Sequence, residues 1–337
     1  MRAFLLTAAS VLALSGCETL SYYAQAVGGH LDLLGRARPV GELLADPQTP
    51  QALRERLALA RAVREFASRE LKLPDNASYR SYADLGRPYA VWNVAAAPEF
   101  SLEPVRSCFP VAGCVAYRGF FAQGDAQRHA QALRARGNDV FVYGVPAYST
   151  LGRFDDPLLS TFIAYPEAEF ARLVFHELAH QLVYARDDST FNESFAVAVE
   201  REGVRRWLAA GNRAAELRAT LDAQRRAEEF ARLLEVARER LARLYLLRLA
   251  PEATRERKRR EFAALKEHYL ALKGGWGGYS GYDRMFGAEP NNAVLASFAT
   301  YAELVPAFER LLAAEGGDLE RFYARVRELA RAGARPN

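Results

Sequence analysis

The chain has 337 residues, half of them hydrophobic, with 45 Lys and Arg against 41 Asp and Glu for a formal net charge of +4. That length and apolar content suit one large domain, or one domain with an insertion, and are ample for a buried core. The charge is spread along the chain with no basic stripe interleaved with aromatics, so nothing points to nucleic acid as a partner.

Arg2 followed by the apolar run Ala3 to Leu14 reads as a short secretory signal, because the run is too short to span a bilayer. Its ending, Leu14-Ser15-Gly16-Cys17, resembles the bacterial lipobox. The resemblance implies cleavage before Cys17, leaving 1–16 as a lipoprotein signal peptide and 17–337 as a single mature domain held to the membrane by lipid on Cys17. An ordinary signal peptide with an incidental cysteine is the alternative. Glu18, in place of Asp, implies by resemblance to lipoprotein sorting rules the outer membrane, facing the periplasm. Export places the remaining cysteines, Cys108 and Cys114, in an oxidising compartment. A disulfide closing a tight loop is expected there; metal binding by this pair would need further ligands that are not nearby in the sequence.

Tyr22 to Leu34 carries apolar residues at helical spacing and ends near Gly35, and Arg36 to Pro50 reads as a polar connection. Gln51 to Lys72 is a stronger helix, with Leu53, Leu57, Ala60, Val63, Phe66, Ala67 and Leu71 stepping by three and four. The period then changes. Tyr89–Ala95, Gly113–Phe121 and Asp139–Val145 are short, rich in β-formers and bounded by Gly, Pro and Asn, and they predict strands. With a helix over 122–136 between the last two, they predict a small mixed sheet preceding the helical run around Phe175. Pro146 confines the end of the last strand to an edge. That edge suits either β-augmentation by an extended peptide or an ordinary exit into a loop.

The segment Phe175-His176-Glu177-Leu178-Ala179-His180-Gln181 is an H-E-x-x-H motif within a helical run. Histidines four apart lie one turn apart on one face, so both imidazoles can reach one Zn²⁺ with Glu177 beside it as general base. Leu173, His176, Glu177 and His180 share one side of the predicted helix, and Ala171, Phe175, Leu178 and Leu182 the other. Val183 and Arg186 stand where a metzincin would need Gly and His, so that class is excluded, and His30, His129 and His268 lack a setting that suggests a ligand. Downstream, the polar turn Asp187-Asp188-Ser189-Thr190 leads into a second helix whose first turn holds Glu193. Packed on the first helix, it would present Glu193 as third ligand and leave an open position for water. Thr190-x-x-Glu193 is also formally a capping box, in which Glu193 would bond a free backbone N–H instead. Asp155, Asp156, Asp187 and Asp188 are all candidates to orient a ligand histidine.

Four segments together, Cys108 to Gly119, Gly144 to Gly152, His176 to Gln181 and Thr190 to Ala196, resemble a bacterial family of predicted aminopeptidases that are zinc-dependent and often lipoproteins. The resemblance covers nearly the whole mature chain. It implies a zincin-like α+β metallopeptidase domain with zinc at His176, His180 and Glu193, Glu177 as catalytic base, and a peptide or protein substrate. Asn291, Asn292 and Tyr301 also resemble shared residues, and Tyr301 and Tyr148 are candidate donors to an oxyanion. An endopeptidase of the cell envelope and a non-catalytic lipoprotein serving as an interaction module are the other readings.

The C-terminal half is predicted to be mostly helical. The second motif helix runs to about Ala210. Ala214 to Leu249 and Arg255 to Lys273, either side of a break at Pro251, then predict a long antiparallel hairpin over about 212–273. Lys273 to Tyr282 is rich in Gly and aromatics and reads as a mobile loop, a lid or a linker. Helices at about 291–304, 307–314 and 319–332 complete the chain.

Overall fold

The computed structural model describes residues 20–109, 113–287 and 289–336; the signal segment and Cys17 lie outside the described residues. Helix α1 (20–35) leads to β1 (Arg38–Pro39), α2 (Val40–Ala45) and α3 (Gln51–Arg69). Then come β2 (Ser81–Ala83), β3 (Val91–Pro98), β4 (Ser107–Phe109), β5 (Gly113–Val115), β6 (Tyr117–Phe120), α4 (Gln123–Ala135), β7 (Asn138–Val145) and β8 (Leu158–Leu159). The rest is helical: α5 (Glu167–Leu182), α6 (Ser189–Ala210), α7 (Ala214–Leu246), α8 (Pro251–Gly275), α9 (Asp283–Phe286), α10 (Asn292–Ala302), α11 (Val305–Ala314) and α12 (Leu319–Ala332).

The fold is mixed α+β and mainly helical. The expected single mixed sheet is replaced by smaller units. The three predicted strands form an antiparallel sheet, β6-β3-β7, while a separate mixed sheet, β1-β2-β8, is built from segments of two or three residues. Strands that short cannot display an alternating pattern. The predicted strand 113–121 divides at residue 116, and its first part pairs back on β4 as a hairpin. The region 36–50 is likewise not a plain connection, since it contains β1 and α2, whose Val40 and Leu43 are buried.

The antiparallel sheet has two distinct faces. Trp92, Val94, Ala96, Phe120 and Val140 point to one side, where Ala126, Ala130 and Leu133 of α4 cover them. The alternate residues, Tyr117, Asn93 and Tyr143, point to the other, since successive side chains of a strand alternate.

Helices α5 and α6 form the centre of the main core. Phe170, Phe175, Phe191, Phe195, Phe308 and Phe322 are all completely or almost completely buried around them. Gly203 of α6 permits their close approach, because a Cβ there would lie 2.7 Å from the Phe175 ring and 2.8 Å from Leu71. The chemical face expected on α5 is also largely covered, with His176 and His180 each 8% exposed and Glu177 partly buried.

Pro251, read as a break, is the first residue of α8, where its missing N–H costs no helical bond. The segment 273–282 is neither lid nor linker. Trp276 donates to Glu229, Tyr282 stacks on Phe230 with centroids 4.0 Å apart, and Tyr269 and Lys273 both bond Asp283. These contacts fasten the segment to the α7–α8 hairpin. Among the described residues no helix is long and apolar enough to cross a membrane.

Candidate metal centre

The α5–α6 turn, residues 183–188, determines where Glu193 falls. Asn192, 3% exposed, brackets Ala185: its Oδ1 accepts the Ala185 N–H at 2.7 Å and its Nδ2 donates to the Ala185 carbonyl at 2.7 Å. Asp188 caps α6 by accepting the Phe191 N–H at 2.9 Å. The helix therefore starts one residue before Thr190, and Glu193 is not used in a capping box. The β4–β5 hairpin braces the same turn, with Cys114 N–H donating to Asp187 Oδ1 and Arg106 donating to the Asp187 carbonyl, both at 2.6 Å. Cys108 and Cys114 are directly opposed in that hairpin, their sulfurs 1.98 Å apart.

Three donor atoms converge between the two helices. His176 Nε2 and His180 Nε2 are 3.1 Å apart, and Glu193 Oε2 lies 3.3 Å from the first and 3.5 Å from the second. Ligands held tetrahedrally at zinc bond lengths of about 2.0–2.1 Å are separated by about 3.3–3.4 Å. The three separations therefore describe one face of a tetrahedron sized for such an ion, and its fourth corner is free of these ligands. His176, His180 and Glu193 form a three-donor cluster able to hold a metal ion.

The charge balance favours a cation. Burial opposes the charge on His176, but bonds to Glu193 and Glu200 outweigh it and lift its pKa to about 10. Burial likewise opposes the Glu193 carboxylate, while His180 and His176 hold it well below the ordinary range. Without a metal the site retains a proton; a divalent ion supplies the same compensation between the same three atoms.

Glu200 and Arg172 complete the arrangement, and neither was anticipated. His176 Nδ1–H donates to Glu200 Oε2 at 2.8 Å, and Arg172 Nη1 donates to the same carboxylate oxygen at 3.0 Å. That bond fixes the ring orientation so that Nε2 is the nitrogen facing the cluster, and it would leave Nε2 as the donor once the ring gives up a proton to a metal. Glu200 is two turns beyond Glu193, and Arg172 one turn before His176, so helical spacing did carry the signal. The aspartates considered for this role serve elsewhere: Asp156 accepts from Thr150, Asp187 from Cys114, and Asp188 caps α6.

Glu177 lies beside the cluster without joining it. Burial raises its pKa, while the two histidines act in the opposite direction. The sheet face carrying Tyr117 and Tyr143 looks toward this centre. Burial raises both phenols, Tyr143 to about 12, and the Glu193 charge adds to the rise in each. Tyr79 approaches from another side. It holds the left-handed φ of 64°, is 2% exposed, and has its pKa raised by burial and then by Glu177 and Asp156.

The candidate oxyanion donor Tyr148 instead packs against His30 and Phe121, with centroids 5.8 and 5.1 Å away. The Tyr301 side chain lies outside the described residues. Asn291 caps α10, and buried Asn292 donates to the carbonyls of Pro98, Glu99 and Ser101, so this pair joins α10 to the end of β3.

A family model described as "Putative aminopeptidase" matches residues 21–336. No curated protein and no solved structure matches the chain.

Proposed function

The chain belongs to this aminopeptidase family, and from that premise we propose that it is a zinc-dependent peptidase whose ion is held by His176, His180 and Glu193. The observation that carries the reading is the convergence of their donor atoms at 3.1–3.5 Å beside Glu177. A zinc ion there would lower the pKa of a bound water toward about 7 and polarise a scissile carbonyl. Glu177 accepts the proton of the attacking water and returns it to the leaving amine. Its raised pKa suits both halves of that transfer. Glu200 holds His176 through Nδ1–H so that Nε2 is the nitrogen presented to the ion, and the phenols of Tyr117 and Tyr143 are donors on the facing wall.

The same reading treats 17–337 as one zincin-like domain behind a cleaved leader, with Cys17 lipidated and the protein on the outer membrane facing the periplasm. There the Cys108–Cys114 pair would be oxidised and would brace the α5–α6 turn. The family description supports aminopeptidase over endopeptidase action.

The test is metal content of the purified chain beside Glu193→Ala and Glu177→Gln, followed by digestion of peptides with free and blocked N-termini. The expected result is one zinc per chain, weakened in Glu193→Ala, retained in Glu177→Gln with most activity lost, and single residues released only from free N-termini. An active, zinc-replete Glu177→Gln variant would exclude Glu177 as the base. Cleavage of blocked peptides would make the enzyme an endopeptidase.

A further inference from the structure

The α7–α8 hairpin has no part in the metal centre, and its charge is unevenly distributed. Residues 214–275 contain fifteen Lys and Arg against ten Asp and Glu, an excess of five, so the rest of the chain is slightly acidic given the total of +4. Residues 238–260, the half nearest the turn, hold nine Lys and Arg against three Glu. Three of those cations tie the hairpin to the rest of the fold: Arg238 donates to the Leu295 carbonyl, Arg255 to Glu99 and Lys258 to Asp139. The others point outward. Arg248 and Arg257 are exposed and, among the described residues, have no ion-pair partner.

Two leucines occupy the centre of this basic collar. Leu246 is 79% exposed and Leu247 57% exposed, at the α7–α8 turn. Beside them a groove of about 340 Å³ is lined by Arg240, Arg243, Arg257 and Arg260, with Glu261 beside Arg240, over Leu244 and Leu247.

We propose that the arginine-collared tip of the α7–α8 hairpin docks on an anionic membrane surface, with Leu246 and Leu247 entering the headgroup layer. Guanidinium groups are suited to phosphate oxygens, and exposed apolar side chains can enter a membrane interface without a complementary pocket. Two exposed leucines beside a net-basic cluster match an anionic layer in both charge and apolar contact. The contact is independent of the peptidase reading.

The test is flotation of the full chain with vesicles of phosphatidylcholine, with and without phosphatidylglycerol. Variants are Leu246→Asp with Leu247→Asp, Arg243→Glu with Arg257→Glu, and a charge-matched control on α12, Arg321→Glu with Arg325→Glu. The N-terminal apolar segment is common to all four proteins, so differences report the tip. Each basic residue near an anionic surface contributes about fivefold in partitioning. Both tip variants are expected to lose at least about tenfold on phosphatidylglycerol vesicles, and the control little, with helicity and metal content unchanged. Wild type without preference for phosphatidylglycerol overturns the proposal and favours an acidic protein as the partner of the tip. A leucine variant that partitions like wild type overturns it too, as does a control that loses as much as the tip arginine variant.

Discussion

His176 and Glu200 face each other across the α5–α6 interface, with Nδ1 and Oε2 2.8 Å apart and both side chains buried. The pairing uses the ring nitrogen that points away from the cluster, so it sets the orientation of the one that points in. Glu200→Ala is expected to lower zinc affinity about 10–100-fold while leaving all three donors in place. Competitive titration with a chromophoric chelator would measure this, and unchanged affinity would reduce the bond to a packing contact.

Asn192 offers a separate handle on the same geometry. From its buried position the Asn192 amide bonds both backbone groups of Ala185 in a partly exposed turn. Truncation to Ala leaves the Ala185 N–H without that partner and its carbonyl with only the long 3.4 Å bond from the Asp188 N–H, at about 1–3 kcal/mol for a group left unpaired before water enters. Asn192→Ala should therefore lower the midpoint of urea unfolding and weaken zinc binding together, because the turn that aims Glu193 loosens. Zinc affinity surviving a clear loss of stability would show that α6 is positioned by its core phenylalanines alone.

These two residues mark what the sequence could and could not disclose. The His176/His180 pair was legible because its spacing is a property of one helix. Glu193 was legible because it follows within a short turn. Glu200 and Arg172 stood at helical spacings from the proposed ligands, but the candidates weighed were aspartates in turns, whose local bonds are the turn and cap bonds such aspartates usually make. Contacts between distant segments left no local signal. Asn76 donates to Gln181 at 2.7 Å across 105 positions, fixing the loop that bears Tyr79 against the motif helix. The Gly- and aromatic-rich stretch likewise resembles a free loop until Tyr282 is seen stacked on Phe230.

Zinc uptake should be accompanied by proton release. In the metal-free protein the two carboxylates lift His176 to about 10 against the opposing effect of burial, so the ring is charged near neutral pH. A metal at Nε2 requires the neutral ring. Calorimetric titration in buffers of different ionisation enthalpy is expected to give close to one proton released per zinc at neutral pH, declining as pH rises through about 10. The linked stability has a definite sign. A raised histidine pKa stabilises the metal-free fold fully below the unfolded value of about 6.5, and that contribution is lost as pH rises through about 10. Zinc binding without proton release would mean that the ring is already neutral.

Asp156 should also lose stability as pH rises, opposite in sign to a carboxylate whose pKa is depressed by its partners. It is 1% exposed, and burial, with a smaller push from Glu177, raises its pKa to about 6 although Thr150 bonds it through both N–H and hydroxyl at 2.9 Å. Its unfolded value is about 3.9, so between about pH 4 and pH 6 the folded chain holds a proton that the unfolded chain has released. Stability from this group is therefore present at the acid end of that window and is lost as pH rises through it, by up to about 3 kcal/mol. Asp156→Asn keeps an oxygen to accept from Thr150 but cannot ionise. Urea unfolding of both proteins across the window should show the variant gaining on wild type as pH rises. Parallel curves would mean that Asp156 is ionised in the fold throughout, with its bonds to Thr150 outweighing burial and the Glu177 charge.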